Sequence, residues 1–297
     1  MDGEEVSRAT DPFEIRRLDP IGVEIVGLDL AGPVDEGAFR SLRETIVREG
    51  LVLLREQWLD AATQIALGRR FGPLENTSLD LGELDESKIQ LSNVDGAGRL
   101  RGQNELEMRL VAINEGWHSD GSFRDVPASF SLFLAETVPE EGGDTFYLSL
   151  ERAWQALSPD ERQLLYGLRA VHDYERAYAV RGIDLGDFFG DSPPVASHPL
   201  VLRHPESGRT GLFVSEHVFE IEGMAEAEAR PLLDRLMAVC TAPENVYRHR
   251  WSVGDLLIWD NRSTLHRAQG FDSRHPRVMR HVRVAGFEAP IPASATG

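Results

Sequence analysis

The sequence predicts a mainly β fold, a β-sandwich or jelly roll whose helices pack on its outside. Short apolar or alternating segments follow one another closely from residue 129 to residue 287. Turn-forming Gly, Pro and Asp residues lie between them, as they do between the strands of a sandwich. In addition, no internal repeat and no Pro/Gly/Ser-rich linker divides the 297 residues, so we expect one domain.

The individual elements follow from hydrophobic periodicity and from helix caps. The first part of the chain predicts strands at 22–30 and 51–55 and helices at 39–50 and 60–71, the second helix with Asp60 as its cap. Later strands are expected at 129–136, 143–149, 168–174, 200–203, 211–216, 245–251, 255–260 and 277–287. Helices are expected at 150–168, where Ser158 and Glu161 have the spacing of a capping box, and at 224–240.

Two segments do not have the pattern of regular structure. Residues 72–110 are polar and acidic apart from the apolar run at 89–94, and residues 175–199 are rich in Gly, Pro and Asp. Long loops in compact domains are commonly lids or binding loops. We therefore expect an N-terminal tail over 1–20 and a single domain over 21–290 with lid insertions at 72–110 and 175–199.

Composition excludes several classes of function. Hydrophobic content of 41% with 27% charged residues is that of a globular protein. The net charge of −18 argues against nucleic acid and anionic membranes as partners. No apolar run reaches the length of about 18 residues that a membrane span needs, and the acidic N-terminus does not resemble a signal peptide. We therefore expect a cytoplasmic protein that acts on a small molecule, and the apolar helix at 225–240 suggests a possible homo-oligomer.

The stretch WHSDGSF at 117–123 is a candidate metal site. His118 and Asp120 are two residues apart, so on extended backbone both side chains project to one face. The single cysteine, Cys240, rules out a thiolate cluster, and His266, after the apolar segment DLLIWD, is the best third ligand. Two histidines and one carboxylate form the facial triad of non-haem Fe(II) oxygenases, which leaves coordination positions open for a cosubstrate and O₂.

Other histidines compete with His266 for the role of third ligand. His217 and His281 remain alternatives on the residues alone. Turn-like sequences before proline or strand contexts favour surface or core roles for the others, which are His172, His198, His204, His249 and His275.

An iron ion held by this triad keeps a net positive charge and favours an anionic chelator, of which 2-oxoglutarate is the common one. Its distal carboxylate needs an arginine, whose planar guanidinium grips a carboxylate through two hydrogen bonds. Arg277 opens the strand that follows His266, at 277 − 266 = 11 residues. Thr145, in the glycine turn GGDT, is a second candidate donor to that carboxylate.

These parts together resemble a known family. WHSDGSF, GGDTFYLSLERAWQALSP, HPLVLRHPESGRTGLFV, RHRWSVGDLLIWDNRSTLHRA and PRVMRHVRVAG are similar, in order and spacing, to the taurine dioxygenase family of Fe(II)/2-oxoglutarate-dependent oxygenases, and most of all to its aryloxyalkanoate dioxygenases. The resemblance implies a double-stranded β-helix, a distorted jelly roll. It implies that His118, Asp120 and His266 bind iron and that Arg277 and Thr145 bind 2-oxoglutarate.

The resemblance is weaker at the positions that bind substrate. Where taurine and phenoxyacetate enzymes have an arginine for the acid group of the substrate, this chain has His281. His281 and Arg283 lie on one face of the predicted strand and could hold an acid together. Glu216, if it faces the pocket, favours an amine or hydroxyl on the substrate, and Asn114 matches a position that contacts substrate in taurine dioxygenase.

The hypothesis that follows is a dioxygenase that hydroxylates an unactivated C–H bond of a small organic substrate, with succinate and CO₂ as coproducts. Two alternatives stay open. The same cofactors can support a desaturation, a cyclisation or isonitrile formation, because these outcomes diverge only after hydrogen abstraction. A non-catalytic metal-binding β-domain is the alternative from a different class.

Overall fold

The computed structural model of the chain describes residues 12–75, 89–102, 114–182 and 194–295. Most of the tail expected over 1–20 and parts of the two expected lid insertions lie outside these ranges. Within the described ranges the chain is mainly β with flanking helices, as the sequence predicts.

Most strands of these ranges belong to one large sheet and one smaller sheet. In chain order the strands are β1 Glu14–Arg17, β2 Val23–Val26, β3 Leu51–Leu54, β4 Leu74–Glu75, β5 Gln90–Ser92, β6 Phe130–Thr137, β7 Thr145–Ser149, β8 Arg169–Asp173, β9 Val195–Pro199, β10 Val201–Arg203, β11 Thr210–Leu212, β12 Val218–Ile221, β13 Val246–His249, β14 Leu256–Asp260, β15 Thr264–Ala268, β16 Val278–Val284 and β17 Ile291–Pro292. The large sheet has the order β1-β2-β3-β14-β6-β16-β4, with β5 also paired to β16, and the smaller sheet has the order β13-β7-β15. Two further small sheets, β12-β8-β9 and β11-β10-β17, extend the structure.

The two main sheets face each other across a core of large side chains. Phe133 and Trp259 from β6 and β14 pack with Tyr147 from β7, and Met279 from β16 joins the same buried cluster. Because every second residue of a strand points to the same face, the alternation of these strands buries one row of side chains from each sheet between them. The result is the sandwich that the sequence predicts.

The helices cover the outside of the sheets. They are α1 Glu36–Glu49, α2 Ala61–Phe71, α3 Leu150–Ala156, α4 Pro159–Leu165, α5 Tyr174–Ala179 and α6 Glu226–Cys240. The predicted caps are confirmed: the Asp60 carboxylate accepts the Thr63 N–H, and Ser158 and Glu161 form a reciprocal capping box. The helix expected at 150–168 is two helices, since Leu157 is extended and Pro159 starts the second one.

The structure corrects three further expectations. Residues Glu14–Arg17 form an edge strand paired with β2, where a tail was expected. The insertion expected at 175–199 contains most of α5 and the whole of β9, and β9 pairs with β8. The apolar side of α6 is buried in the core cluster of the chain itself, through residues such as Leu233 and Leu236, so that face is already covered. In the described ranges, moreover, every helix is too short or too polar to cross a membrane.

A buried carboxylate organises the turn between β14 and β15. Asp260 is fully buried, and its side chain accepts hydrogen bonds from Arg262 and from the His204 imidazole. Its carbonyl accepts the Thr264 hydroxyl at 2.9 Å. Burial acts to raise the pKa of the Asp260 carboxyl, but Arg262 and His204 outweigh it and hold the pKa below its usual range. The turn thus places β15 directly after β14.

We expect Asp260→Asn to lower the free energy of unfolding at pH 7 by about 3 kcal/mol, because Arg262 would lose its buried counter-charge. Urea denaturation checks this. The contribution of a carboxylate with a lowered pKa is present above the unfolded pKa of about 4 and is lost as the pH falls further, so the difference from wild type narrows below about pH 4. Asp272→Asn, which removes an exposed ion pair with Arg274, is the control and leaves the midpoint unchanged. An equal difference at pH 7 and pH 3 would contradict the assignment.

Candidate active site

The chain brings His118 and His266 together through their backbones. The His118 N–H donates to the His266 carbonyl at 3.0 Å, and the His266 N–H donates to the His118 carbonyl at 2.9 Å. His266 lies in β15, whereas His118 forms an isolated bridge to it and is not part of a strand. Paired residues of an antiparallel bridge project to the same side, and the two imidazole rings are 4.2 Å apart between centroids.

Asp120 completes a cluster of three potential ligands. The Asp120 Oδ1 atom lies 4.0 Å from His118 Nε2 and 3.8 Å from His266 Nε2. Among the described residues these three side chains are buried, and their ligand atoms all lie within 4.8 Å of one another. The separations are too long for hydrogen bonds and leave space for an ion between the three atoms.

The protonation states suit metal binding. His118 Nδ1 lies 2.7 Å from the Gly116 carbonyl, which accepts its proton and leaves the Nε2 lone pair free to face the cluster. Burial, and then the neighbouring His118, lower the pKa of His266 well below its usual value, so its imidazole is neutral. Burial alone would raise the pKa of Asp120, but His266, His281 and Arg283 hold it below its ordinary value.

A hydrogen-bonded network orients the Asp120 carboxylate. The Ser131 hydroxyl donates to Asp120 Oδ2 at 2.7 Å and accepts from the Asn261 amide at 3.0 Å. The Asn261 Oδ1 atom in turn accepts the Trp259 indole N–H at 2.9 Å and the Asp120 backbone N–H at 3.3 Å. Oδ2 is therefore held by the protein, and Oδ1 faces the two imidazoles.

Arg277 and Thr145 lie in the wall of the same cavity. The Arg277 Nη2 donates to the Gly143 carbonyl at 3.1 Å, and its backbone N–H donates to Asn93 Oδ1 at 2.7 Å. Arg277 Nε is buried and has no hydrogen-bond partner within the part of the chain that the structure describes. Burial lowers the pKa of Arg277 to about 10, so the guanidinium stays charged at neutral pH.

Trp251 determines what Thr145 can bind. The Trp251 indole N–H donates to Thr145 Oγ1 at 2.9 Å. A hydroxyl that accepts in this way keeps its own proton for another acceptor. Thr145 therefore presents a hydrogen-bond donor, which suits a carboxylate.

One cavity of about 120 Å³ is bordered by the three potential ligands and by Arg277 and Thr145. Of the residues expected to contact substrate, Asn114, His281 and Arg283 line it as well. The pKa of His281 is lowered to about 4, chiefly by burial, so this side chain is neutral. Glu216 is a correction to the sequence analysis: it lies outside the cavity wall, its side chain is 39% exposed, and it forms an ion pair with Arg181 at 2.5 Å.

Arg283, which lines the cavity, already has two carboxylates near its guanidinium. Its Nε lies 2.6 Å from Glu75 Oε1, and its Nη1 lies 3.9 Å from Asp120 Oδ1. Glu75 also accepts a hydrogen bond from Arg124 at 2.7 Å. The acid site that His281 and Arg283 were expected to form therefore contains a carboxylate from the protein.

Sequence reasoning missed several residues of the cavity wall. His217 was only an alternative metal ligand, yet its ring stacks on His118 with centroids 5.5 Å apart. Both of its ring nitrogens are buried and have no hydrogen-bond partner in residues 12–75, 89–102, 114–182 and 194–295. Phe123, Phe133 and Tyr174 supply apolar surface around the cavity. The sequence has no signal that separates His217 from Glu216: both are polar and follow an apolar segment, and only the structure shows that Ser215 and His217 are buried and Glu216 is exposed.

Comparison with known proteins identifies the family of the chain. Residues 14–284 match the model of the family described as taurine catabolism dioxygenase TauD, TfdA family. The chain is 33% identical to an (S)-phenoxypropionate/alpha-ketoglutarate-dioxygenase of Sphingobium herbicidovorans, covering 95% of this chain and 98% of the relative. It is 34% identical to an alpha-ketoglutarate-dependent 2,4-dichlorophenoxyacetate dioxygenase of Cupriavidus pinatubonensis, over 87% of this chain and 92% of the relative. It is 30% identical to a pentalenolactone F synthase of Streptomyces arenae, over 91% and 94%.

Solved structures agree with the fold. AAD-2 in complex with Mn(II) and N-oxalylglycine superposes with a TM-score of 0.83 at 30% identity, covering 93% of this chain and 99% of that one. A taurine dioxygenase from Burkholderia xenovorans superposes with a TM-score of 0.75 at 28% identity, covering 94% and 93%. The predicted double-stranded β-helix and the family resemblance are thereby confirmed. The chain belongs to the TauD, TfdA family and is an α-ketoglutarate-dependent dioxygenase.

Proposed function

We propose that the protein is an Fe(II)- and 2-oxoglutarate-dependent dioxygenase that hydroxylates an unactivated C–H bond of a small organic substrate. The observation that carries the proposal is the position of His118, Asp120 and His266 around one point of a buried cavity that also contains Arg277 and Thr145. Two neutral imidazoles and one carboxylate, with no thiolate among them, are a donor set that fits Fe(II).

Different residues of the chain bind the metal, 2-oxoglutarate and the substrate. His118 and His266 offer Nε2 lone pairs to the metal, and Asp120 offers Oδ1 while Ser131 holds Oδ2. Arg277 and Thr145 bind the distal carboxylate of 2-oxoglutarate. The donors are the Thr145 hydroxyl and the buried Arg277 Nε, which has no hydrogen-bond partner among the described residues. Asn114, His281 and Arg283 border the remaining space, where substrate binds.

When bound, Fe(II) and 2-oxoglutarate supply an oxidant from O₂, with succinate and CO₂ as coproducts. The protein orients the target C–H bond and excludes water with the ring systems of Phe133, Tyr147 and Trp259. An enclosed apolar wall matters because a reactive oxidant would otherwise be consumed by solvent or by other side chains.

The decisive experiment is an anaerobic addition of Fe(II) and 2-oxoglutarate followed by O₂, with a panel of aryloxy acids, aryloxy amides, sulfonates, sulfate esters and amino acids. Succinate that forms in proportion to substrate consumed supports the proposal, and mass spectrometry identifies the product. A gain of one oxygen is the expected change. Loss of two hydrogens instead would replace hydroxylation by desaturation or ring closure. Equal succinate from wild type and Asp120→Ala would refute the assignment of the metal site.

We expect Ser131→Ala to weaken Fe(II) binding about 10- to 100-fold, because the carboxylate of Asp120 loses the hydroxyl that orients it. Anaerobic titration of Fe(II) into the protein measures the dissociation constant. The matched control is Ser129→Ala on the same face of the chain, whose hydroxyl donates to the Ala285 carbonyl at 2.8 Å and not to Asp120. Equal losses in both variants would mean that the effect is structural.

We expect Thr145→Val to raise the dissociation constant for 2-oxoglutarate about 10-fold or more, because one hydrogen bond to a charged carboxylate is lost. Trp251→Phe removes the indole donor but keeps the threonine, so a smaller increase is expected. The constants are measured by titration calorimetry on the metal-loaded protein without O₂. Unchanged binding of 2-oxoglutarate by Thr145→Val, with the fold intact, would exclude Thr145 from the cosubstrate site.

A further inference from the structure

We propose that Glu75 is a specificity-determining residue: its carboxylate occupies an anion site between Arg124 and Arg283, so the wild-type protein selects substrates that present an uncharged group there. The inference rests on the proposed function in that it concerns the substrate end of the same cavity. It goes beyond that function because it assigns the chemical class of the substrate group at this wall.

The contacts define the anion site. The two carboxylate oxygens of Glu75 face different arginines, with Oε1 at 2.6 Å from Arg283 Nε and Oε2 at 2.7 Å from Arg124 Nη1. The side chains of Glu75 and Arg124 are each 13% exposed, and that of Arg283 is 6% exposed. Two guanidinium groups around one carboxylate are the arrangement with which proteins bind small anions.

The fold holds Glu75 in this position. Strand β4 pairs antiparallel with β16 so that Glu75 lies directly opposite Arg283. Directly opposed residues project to the same face of a sheet, and oppositely charged pairs there stabilise each other. At the cavity, Glu75 Oε1 lies within 3.8 Å of the point where a Cβ atom on Gly121 would stand. The carboxylate therefore lies beside the segment that carries Asp120.

The charges leave little place for an acid of the substrate. Arg283 lies between two carboxylates, since its Nη1 is also 3.9 Å from Asp120 Oδ1. An acid that entered here would either displace Glu75 from two buried arginines or stand next to it. Like charges in a poorly hydrated site repel strongly, and such repulsion is a common means of rejecting a wrong ligand. A neutral amide, ether or hydroxyl group meets no such penalty.

This assignment separates the chain from relatives that are named for aryloxy acids, to which it is about one-third identical. The chain keeps an arginine at 283, but a carboxylate of its own neutralises it. Replacing Glu75 by the neutral, similarly shaped glutamine would remove the carboxylate that Arg124 and Arg283 share. That variant should acquire affinity for an acid.

The test uses two ligands of nearly equal shape, phenoxyacetate and phenoxyacetamide. Their affinities are measured by titration calorimetry without O₂, on wild type and Glu75→Gln, each with Fe(II) and 2-oxoglutarate and each as metal-free protein. We expect wild type to bind the amide more tightly than the acid. In Glu75→Gln the ratio of acid affinity to amide affinity should rise at least about 10-fold, and adding Arg124→Gln should reverse that gain.

The matched control is Glu136→Gln, which removes a carboxylate 2.9 Å from Arg280 on the same strand β16 but outside the cavity wall. It should leave the ratio unchanged. The inference is overturned if the acid-to-amide ratio in Glu75→Gln rises less than about 10-fold. It is also overturned if that variant shows no detectable binding of the acid. Because the ratio is measured without turnover, a failure to release succinate with any substrate would sink the proposed function and leave this inference standing.

Discussion

The pair of backbone hydrogen bonds between His118 and His266 is the constraint on which the candidate site depends. The two residues are 266 − 118 = 148 positions apart, so no local preference of the chain brings their side chains together. Their contact requires the turn at Asp260 to lead from β14 into β15, and it requires β15 to pair with β7 in the observed register. The metal site is therefore a product of the completed sandwich, and a change that shifts β15 by one residue would turn His266 away from the cavity.

Buried charge is balanced around this site by pairs that differ in role. In the proposed function, Asp120 and Arg277 bind partners from outside the chain, a metal and a carboxylate. Asp260 and Glu75 are already neutralised by arginines of the chain, and they determine a turn and a wall. Burying a charge is costly unless it is compensated, so the buried Arg277 guanidinium, which forms no ion pair with the described residues, indicates an anionic ligand. By the same principle, the Glu75 carboxylate already compensates Arg283 and disfavours an acid group of the substrate there.

The sequence predicted the parts of the fold that depend on local pattern. Alternating or continuously apolar segments form strands β6, β14 and β16, and Asp60 and Ser158 cap helices. These features depend on residue types within a few positions of each other. The short strands β1 and β15 were not predicted, since their few residues become strands only by pairing with distant partners. In the site, residue type and family resemblance singled out His118, Asp120 and His266 together with Arg277 and Thr145, and the structure brings these residues to one cavity. The contact between Arg283 and Glu75 could not be predicted in this way, because the two residues are 283 − 75 = 208 positions apart.

The expectation for Glu216 was wrong by one position, because the neighbouring residue His217 is the one that lines the cavity. Glu216 and His217 are neighbours, and the sequence offers no reason to choose which of them faces inward, since both are polar and lie after an apolar segment. The structure turns His217 onto His118 and Glu216 outward to Arg181. Both residues lie in a turn that the Val218 N–H closes by donating to the Ser215 carbonyl at 3.1 Å. With Glu216 outside, the acidic group that bears on substrate choice is Glu75, which acts on the cavity-lining Arg283.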